Sequence, residues 1–124
     1  MRLSLSLAIS PYDHARDLEP QGIDLQVLDL PIQEIFYPFT RFREWDASEM
    51  SFGKTIALLS QPGADIVAIP VFPSRVFRHG SIFFSPRSGT ETPADLVGKR
   101  VAAPEYQMTA PVWIRGMLSD EFGI

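Results

Sequence analysis

Three cationic side chains lie within five residues of each other and could bind an anion: Arg75, Arg78 and His79. They fall between two apolar runs, 66–71 and 81–84, which we predict as strands. Pro73 cannot extend a sheet ladder, so the chain must leave the sheet before these residues. Loops at strand ends often carry function, and guanidinium groups bind carboxylates in a bidentate manner. We interpret this loop as the anion-binding wall of a cleft; the alternative is a solvated turn.

Four further loops place polar side chains at the predicted carboxyl ends of strands, where open α/β sheets bind ligands. The candidates in these loops are Asp13, His14, Asp29, Glu49, Ser51, Glu105, Gln107 and Thr109. Helices predicted to begin near Gly53 and Pro111 would direct backbone N–H groups into the same region, which favours an anion there. Ser51 and Thr109 lie beside those helix starts, and the alternative reading of both is ordinary helix capping.

Other chemistry fits the same residues less well. The two histidines could form a metal cluster with Asp13, Glu49 and Glu105, but no HxH or HxxxH spacing supports this. We therefore expect neither a metal nor a cofactor. The pair Glu49 and Glu105 could serve acid–base catalysis. The sequence contains no glycine-rich phosphate loop, since Gly53-Lys54-Thr55 resembles only the tail of one.

Composition narrows the possible partners. The 124 residues are 45% hydrophobic and 11% aromatic, which suits a packed core. The net charge of −4 argues against a nucleic-acid partner, and no apolar run approaches the length of a membrane span. There are no cysteines, which excludes disulfides and thiolate chemistry. The chain passes from Arg2 directly into a strand pattern with no apolar signal core, so we expect a cytoplasmic protein. Composition leaves the oligomeric state open.

The periodicity of the sequence predicts an α/β fold with a mainly parallel sheet and flanking helices. Predicted strands are 3–9, 23–30, 47–51 and 66–71, with helices 31–42 and 53–61 between them. A short strand at 100–103 and a helix from Pro111 follow, after a capped turn at Thr92 to Asp95. We predict a first lobe over residues 1–98 and the beginning of a truncated second lobe over 99–124.

Four stretches of the sequence resemble the 4,5-dihydroxyphthalate decarboxylase family. They are LSLSLAISPYDH (3–14), EIFYPFTRFREWDASEMS (34–51), VAIPVFPSRVFRHGSIF (67–83) and DLVGKRVAAPEYQMTAPVWIRGMLSDEFGI (95–124). The third stretch and PEYQMTAPVWIRG within the fourth are the most specific, whereas DLVGKRV is similar to many solute-binding proteins. The resemblance implies one lobe of a type II periplasmic-binding-protein-like fold, and it implies that the chain is an N-terminal fragment, inactive by itself.

The resemblance also implies a reaction, the non-oxidative loss of one carboxylate from 4,5-dihydroxyphthalate to give protocatechuate. For that small aromatic carboxylate we assign Arg75 and Arg78 to the carboxylates, and His79 or His14 to proton delivery. Glu49 and Gln107 would bind the hydroxyls. The remaining substrate-binding candidates are Asp13, Ser51, Glu105 and Thr109. Two alternatives stay open: a non-catalytic solute-binding or sensor protein for a small carboxylate, and a pyrimidine-precursor enzyme of the same fold superfamily.

Overall fold

The computed structural model describes residues 2–18 and 20–124. Its strands are β1 (Leu3–Ile9), β2 (Ile23–Asp29) and β3 (Ala47–Ser48), and its α-helices are α1 (Ile32–Phe42), α2 (Phe52–Leu59) and α3 (Thr109–Phe122). Short 3₁₀ helices lie at Asp13–Ala15, Arg78–Ser81, Pro86–Ser88 and Pro93–Leu96. The chain divides into two compact units. The described residues up to Ser51, with Val67–Ser74, form the first unit; Phe52–Ile66 and Arg75–Ile124 form the second.

The first unit contains a parallel sheet with the strand order β2-β1-β3. The register pairs Leu3 with Ile23 through to Ile9 with Asp29, and it pairs Leu7 with Ala47 on the other side of β1. The N–H of Glu49 donates to the carbonyl of Ala8 at 2.8 Å, which continues the ladder one residue past β3. The prediction of an α/β fold with a parallel sheet and flanking helices is confirmed.

Helix α1 packs its apolar face against this sheet. Its repeat of apolar side chains at helical spacing predicted a helix over 31–42, and the helix spans Ile32–Phe42. Ile35 is fully buried, as is Ala8 of β1. The helix ends at Arg43, which adopts a left-handed conformation (φ 53°) and donates its N–H to the carbonyl of Phe39 at 3.0 Å. This bond satisfies one of the carbonyls that a helix end leaves without a partner.

The predictions of strands at 66–71 and 81–84 are wrong. Neither segment is a strand in the structure, and most of their side chains are exposed, with Val67 at 91%, Ile69 at 70% and Phe83 at 87%. An apolar run becomes a strand only where a neighbouring strand completes its hydrogen bonds. No described strand pairs with either segment, so neither has the neighbour that would complete a ladder. The short strand predicted at 100–103 is also absent from the structure.

The second unit is built on α2 and α3, which begin beside each other. A Cβ added to Gly53 would lie 3.0 Å from the carbonyl oxygen of Gln107, so the chain approaches closely there. The turn predicted at Thr92 is confirmed as a 3₁₀ helix, Pro93–Leu96, with a reciprocal capping box between Thr92 and Asp95. Among the described helices, none combines the length and the apolar character needed to cross a membrane. The lobe boundary at residues 98 and 99 stays a prediction.

Candidate functional site

A buried carboxylate lies at the carboxyl edge of the parallel sheet in the first unit. Glu49 follows β3 directly and is only 9% exposed. Its Oε2 accepts the backbone N–H of Ser10 at 3.2 Å, and its Oε1 accepts the phenolic O–H of Tyr12 at 2.7 Å. Ser10 and Tyr12 follow the end of β1, which pairs with β3 in parallel, so the two strand ends meet at this edge. The register of the sheet therefore creates this hydrogen-bonded cluster.

The phenol of Tyr12 is the partly accessible end of the cluster. Burial raises the pKa of Tyr12 above its ordinary value, and the hydrogen bond to Glu49 and its negative charge raise that pKa further. The nearby side chains of Ser74 and Ser10 act in the opposite direction and lower the same pKa. Tyr12 thus remains protonated at neutral pH, and its proton is directed at Glu49.

The other first-unit candidates surround this cluster at different depths. His14 is exposed and stacks on the ring of Tyr12, with 5.4 Å between ring centroids and 21° between planes. Asp13 is exposed and forms an ion pair with Arg16 at 2.8 Å. Ser51 is buried at the start of α2. Tyr12 therefore contacts both His14 and Glu49, two residues that the sequence proposed separately.

A second polar cluster lies in the other unit, around the beginning of α2. The N–H of Gly53 donates to Oγ1 of Thr109 at 3.1 Å, and Nζ of Lys54 donates to Oε1 of Gln107 at 2.8 Å. The same ammonium group lies 3.8 Å from Oε1 of Glu105. These contacts bring together the three candidates of the 105–109 loop at two adjacent helix N-termini, where a negative charge is stabilised.

The cationic loop lies elsewhere in the second unit. Nε2 of His79 is 3.0 Å from Oε1 of Glu121, and the imidazole stacks on Phe77 with 4.8 Å between centroids. Glu121 is twelve residues beyond Thr109 on α3, about 18 Å along the helix axis at 1.5 Å per residue. His79 therefore lies near the opposite end of α3 from the 105–109 cluster. Arg75 is exposed and Arg78 is half-buried; within residues 2–18 and 20–124 neither guanidinium forms an ion pair.

Two residues of these clusters were not identified from the sequence. Tyr12 was seen only as part of a strand end, and its role depends on the non-local register between β1 and β3. Lys54 was considered only as part of an incomplete phosphate loop, whereas in the structure it bonds Gln107. The available signals were a phenol at the carboxyl end of a predicted strand and a lysine in the first turn of a predicted helix. No group of three potential metal ligands occurs among the residues that the structure describes.

The fold and the first cluster define an α/β protein with a buried carboxylate at the carboxyl edge of a parallel sheet, the edge where proteins of this class bind ligands. No known protein-family profile matches the sequence. The chain is, however, similar along nearly its whole length to two curated proteins of one name.

The first of these is a 4,5-dihydroxyphthalate decarboxylase of Comamonas testosteroni, 38% identical over 128 residues that cover 99% of this chain and 39% of that protein. The second, a 4,5-dihydroxyphthalate decarboxylase of Pseudomonas putida, is 37% identical over 129 residues, 99% of this chain and 50% of that protein. The resemblance that the sequence motifs indicated is confirmed. The chain spans half or less of the length of these relatives.

Proposed function

We propose that this chain is part of a decarboxylase that converts 4,5-dihydroxyphthalate to protocatechuate and carbon dioxide. The observation that carries the proposal is the 38% identity to a 4,5-dihydroxyphthalate decarboxylase over 99% of the chain. The parallel sheet of the first unit agrees with one lobe of a type II periplasmic-binding-protein-like fold, and we include that fold in the proposal.

The reaction breaks the bond between a ring carbon and one carboxylate. A proton is added to that ring carbon and carbon dioxide leaves from it; the bonding electrons stay with the ring, so the reaction needs no oxidant or reductant. The protein must hold a dianion, deliver that proton and bind the two hydroxyls. Arginine forks suit the carboxylates, and Arg75 and Arg78 make no ion pair among the described residues that would have to be broken first.

The proton donor is assigned to His79, with His14 as its competitor. Both imidazoles are exposed and therefore accessible to a ligand. Each also stacks on an aromatic ring, His79 on Phe77 and His14 on Tyr12, which restricts the orientation of the imidazole. A positioned imidazole is the most common general acid in enzymes.

Turnover of 4,5-dihydroxyphthalate by the full-length protein tests the proposal. The reaction would be followed by ultraviolet absorbance, with chromatographic identification of protocatechuate. Phthalate, which has the two carboxylates but no hydroxyls, is the matched control and should not be decarboxylated. Tight binding of 4,5-dihydroxyphthalate without turnover would instead indicate a solute-binding or sensor protein. If the protein neither binds nor decarboxylates 4,5-dihydroxyphthalate, both readings are overturned.

A further inference from the structure

Glu49 is poorly placed to contact a ligand itself. The side chain is buried, and each carboxylate oxygen already accepts a hydrogen bond, from the N–H of Ser10 and from the O–H of Tyr12. The hydroxyl of Ser10 is also engaged, since it donates to the carbonyl of Leu30 at 3.2 Å. A ligand hydroxyl that approaches this edge of the sheet would therefore meet the half-buried phenol of Tyr12 before the carboxylate.

The hydrogen bond of Tyr12 has a fixed direction. A carboxylate can only accept, so the phenol must donate its single proton to Glu49 and present oxygen lone pairs to everything else. A ligand group that binds Tyr12 must then be a donor, as an aromatic hydroxyl is.

We propose that Tyr12 relays a proton from a ligand hydroxyl to Glu49; this inference rests on the proposed function. The ligand O–H bond breaks and its proton moves to the phenolic oxygen of Tyr12, while the proton of Tyr12 moves to Oε1 of Glu49. The ligand becomes a phenolate and Glu49 becomes neutral. Both transfers reverse after carbon dioxide has left, so no proton is gained or lost along the relay. Tyr12 is thus a catalytic residue, and Glu49 acts through it.

The relay has a chemical purpose in this reaction. Each hydroxyl of 4,5-dihydroxyphthalate lies para to a carbon that carries a carboxylate. A phenolate at that position donates electron density to this carbon and makes it easier to protonate, which is the step that must precede or accompany loss of carbon dioxide. The raised pKa of Tyr12 keeps the phenol protonated before the ligand arrives. It therefore remains a donor to Glu49.

Steady-state kinetics of the full-length protein test the relay. For both Tyr12→Phe and Glu49→Gln we expect kcat to fall roughly 10²–10⁴-fold, the usual contribution of a positioned acid or base. Binding of phthalate, which has no hydroxyls, should change less than threefold in either variant. Because the two groups act as one path, the double variant should be about as slow as the slower single variant. Tyr37→Phe is the matched control, because Tyr37 is exposed on α1. This variant should turn over substrate at the wild-type rate.

Ultraviolet titration of the ligand-free protein provides a second, independent readout. The difference between wild type and Tyr12→Phe isolates the ionisation of Tyr12, which should occur at higher pH than for exposed Tyr37 and Tyr106. Glu49→Gln should lower the pH at which Tyr12 ionises, because the negative charge that opposes this ionisation is removed. If Glu49→Gln leaves the ionisation of Tyr12 unchanged, the two groups are not coupled and the relay is overturned.

The two proposals fail in different ways. Wild-type turnover together with near-normal turnover of Tyr12→Phe overturns the relay and leaves the proposed function intact. A wild-type protein that neither binds nor decarboxylates 4,5-dihydroxyphthalate overturns the proposed function, and the relay with it. Turnover lost equally in Tyr12→Phe and in Tyr37→Phe would indicate a general loss of structure, and the relay would be rejected.

Discussion

Glu49 and His79 are two titratable side chains, one in each compact unit, with different environments. Glu49 is buried with a donor on each oxygen, which suits a group that orients or accepts from one neighbour. His79 is exposed, lies 3.0 Å from Glu121 and stacks on Phe77. A group at the surface can meet a ligand directly. The burial of Glu49 thus fits an indirect role better than a direct one, whereas the imidazole of His79 lies at the surface.

His79→Gln in the full-length protein should retain substrate affinity and lose roughly 10²–10⁴ in kcat, because glutamine keeps a polar side chain but cannot deliver the proton. His14→Gln is the matched comparison and should retain most of its activity. The measurement is kcat and KM for 4,5-dihydroxyphthalate. Normal turnover of His79→Gln with an inactive His14→Gln would reverse the assignment, and activity in both variants would assign the proton to another donor.

Arg75→Lys and Arg78→Lys should each weaken dicarboxylate binding. Lysine keeps the charge but loses the planar fork that binds both carboxylate oxygens. We expect a loss of about 1.5–3 kcal/mol for each charge-assisted contact removed. Calorimetry with phthalate measures it, and Arg87→Lys, another exposed arginine of the same unit, is the control. Unchanged affinity in both variants would return this loop to a solvated turn.

The sequence predicted the types and approximate positions of these residues, but not their partners. Polar side chains at the carboxyl ends of strands were identified because the strands themselves were recognisable. The bond between Tyr12 and Glu49 joins residues 37 positions apart and depends on the pairing of Leu7 with Ala47. Similarly, no local pattern indicates that His79 meets Glu121, 42 residues later. Roles of single residues stay predictions, since they depend on a ligand.

At the scale of elements, local periodicity predicted the strands and the helix whose packing partners lie close by in the sequence. β1, β2 and α1 follow clear patterns, and their observed bounds differ from the predicted ones by one residue at most. The apolar runs at 66–71 and 81–84 have equally strong strand patterns but remain without a ladder. Apolar composition favours burial, whereas strand formation also requires a neighbour with free backbone groups. Sequence alone does not contain that second condition.

Asp46 fastens the segment before β3 to β1 and should contribute to acid stability. Its Oδ2 accepts both the N–H and the hydroxyl of Ser6 at 2.8 Å, and these bonds, the backbone bond foremost, lower the pKa of Asp46. The stabilisation is present above the unfolded pKa of about 3.9 and is lost as pH falls through the lowered folded value. Urea unfolding at neutral and acidic pH should therefore show that acidification lowers the free energy of unfolding less in Asp46→Asn than in wild type.

The control for that experiment is Asp24→Asn, which removes an exposed carboxylate from β2 without touching Ser6. This variant should lose as much stability on acidification as wild type does. If acidification lowers the free energy of unfolding of Asp46→Asn as much as that of wild type, the contacts between Asp46 and Ser6 do not stabilise the protein in solution.

Gly53 should be needed for the close approach of α2 to the 105–109 loop. Alanine there places a Cβ 3.0 Å from the carbonyl oxygen of Gln107, so the backbone must shift. Gly116→Ala is the matched control, because it is also helical and its new Cβ meets nothing within 4 Å. Gly116→Ala should raise the free energy of unfolding by about 0.8–1 kcal/mol, whereas Gly53→Ala should lose most or all of that gain. Equal stabilisation in both variants would contradict the close contact.

At the scale of the whole molecule, many large apolar side chains remain in contact with solvent. Among them are Val67, Phe77, Phe83, Phe84 and Trp113. A contiguous exposed apolar patch of more than roughly 400 Å² is unusual for a monomeric protein. The aligned relatives are at least about twice as long as the residues they share with this chain, which covers 39% and 50% of them. The exposed side chains are scattered over both units and include the segments in which strand prediction failed.

The fluorescence of Trp113 can be used to measure this exposure. It is 56% exposed on α3, whereas Trp45, the second tryptophan, is half-buried. In the 124-residue chain, Trp45→Phe isolates Trp113, which should emit at longer wavelength and be quenched efficiently by acrylamide. Trp113→Phe isolates Trp45 and should be quenched less. Equal quenching of the two variants would show that Trp113 is covered in solution.

The division of the first unit into two stretches of sequence has a consequence for synthesis on the ribosome. Residues up to Ser51 emerge first, but Val67–Ser74 emerge only after Phe52–Ile66, which belong to the second unit. Domains fold as units during translation once their segments are available. β1, β2 and α1 can therefore assemble early, whereas Val67–Ser74, the last part of the first unit, arrives after residues of the second unit. The nascent chain would thus carry its parallel sheet before Val67–Ser74 can complete the first unit.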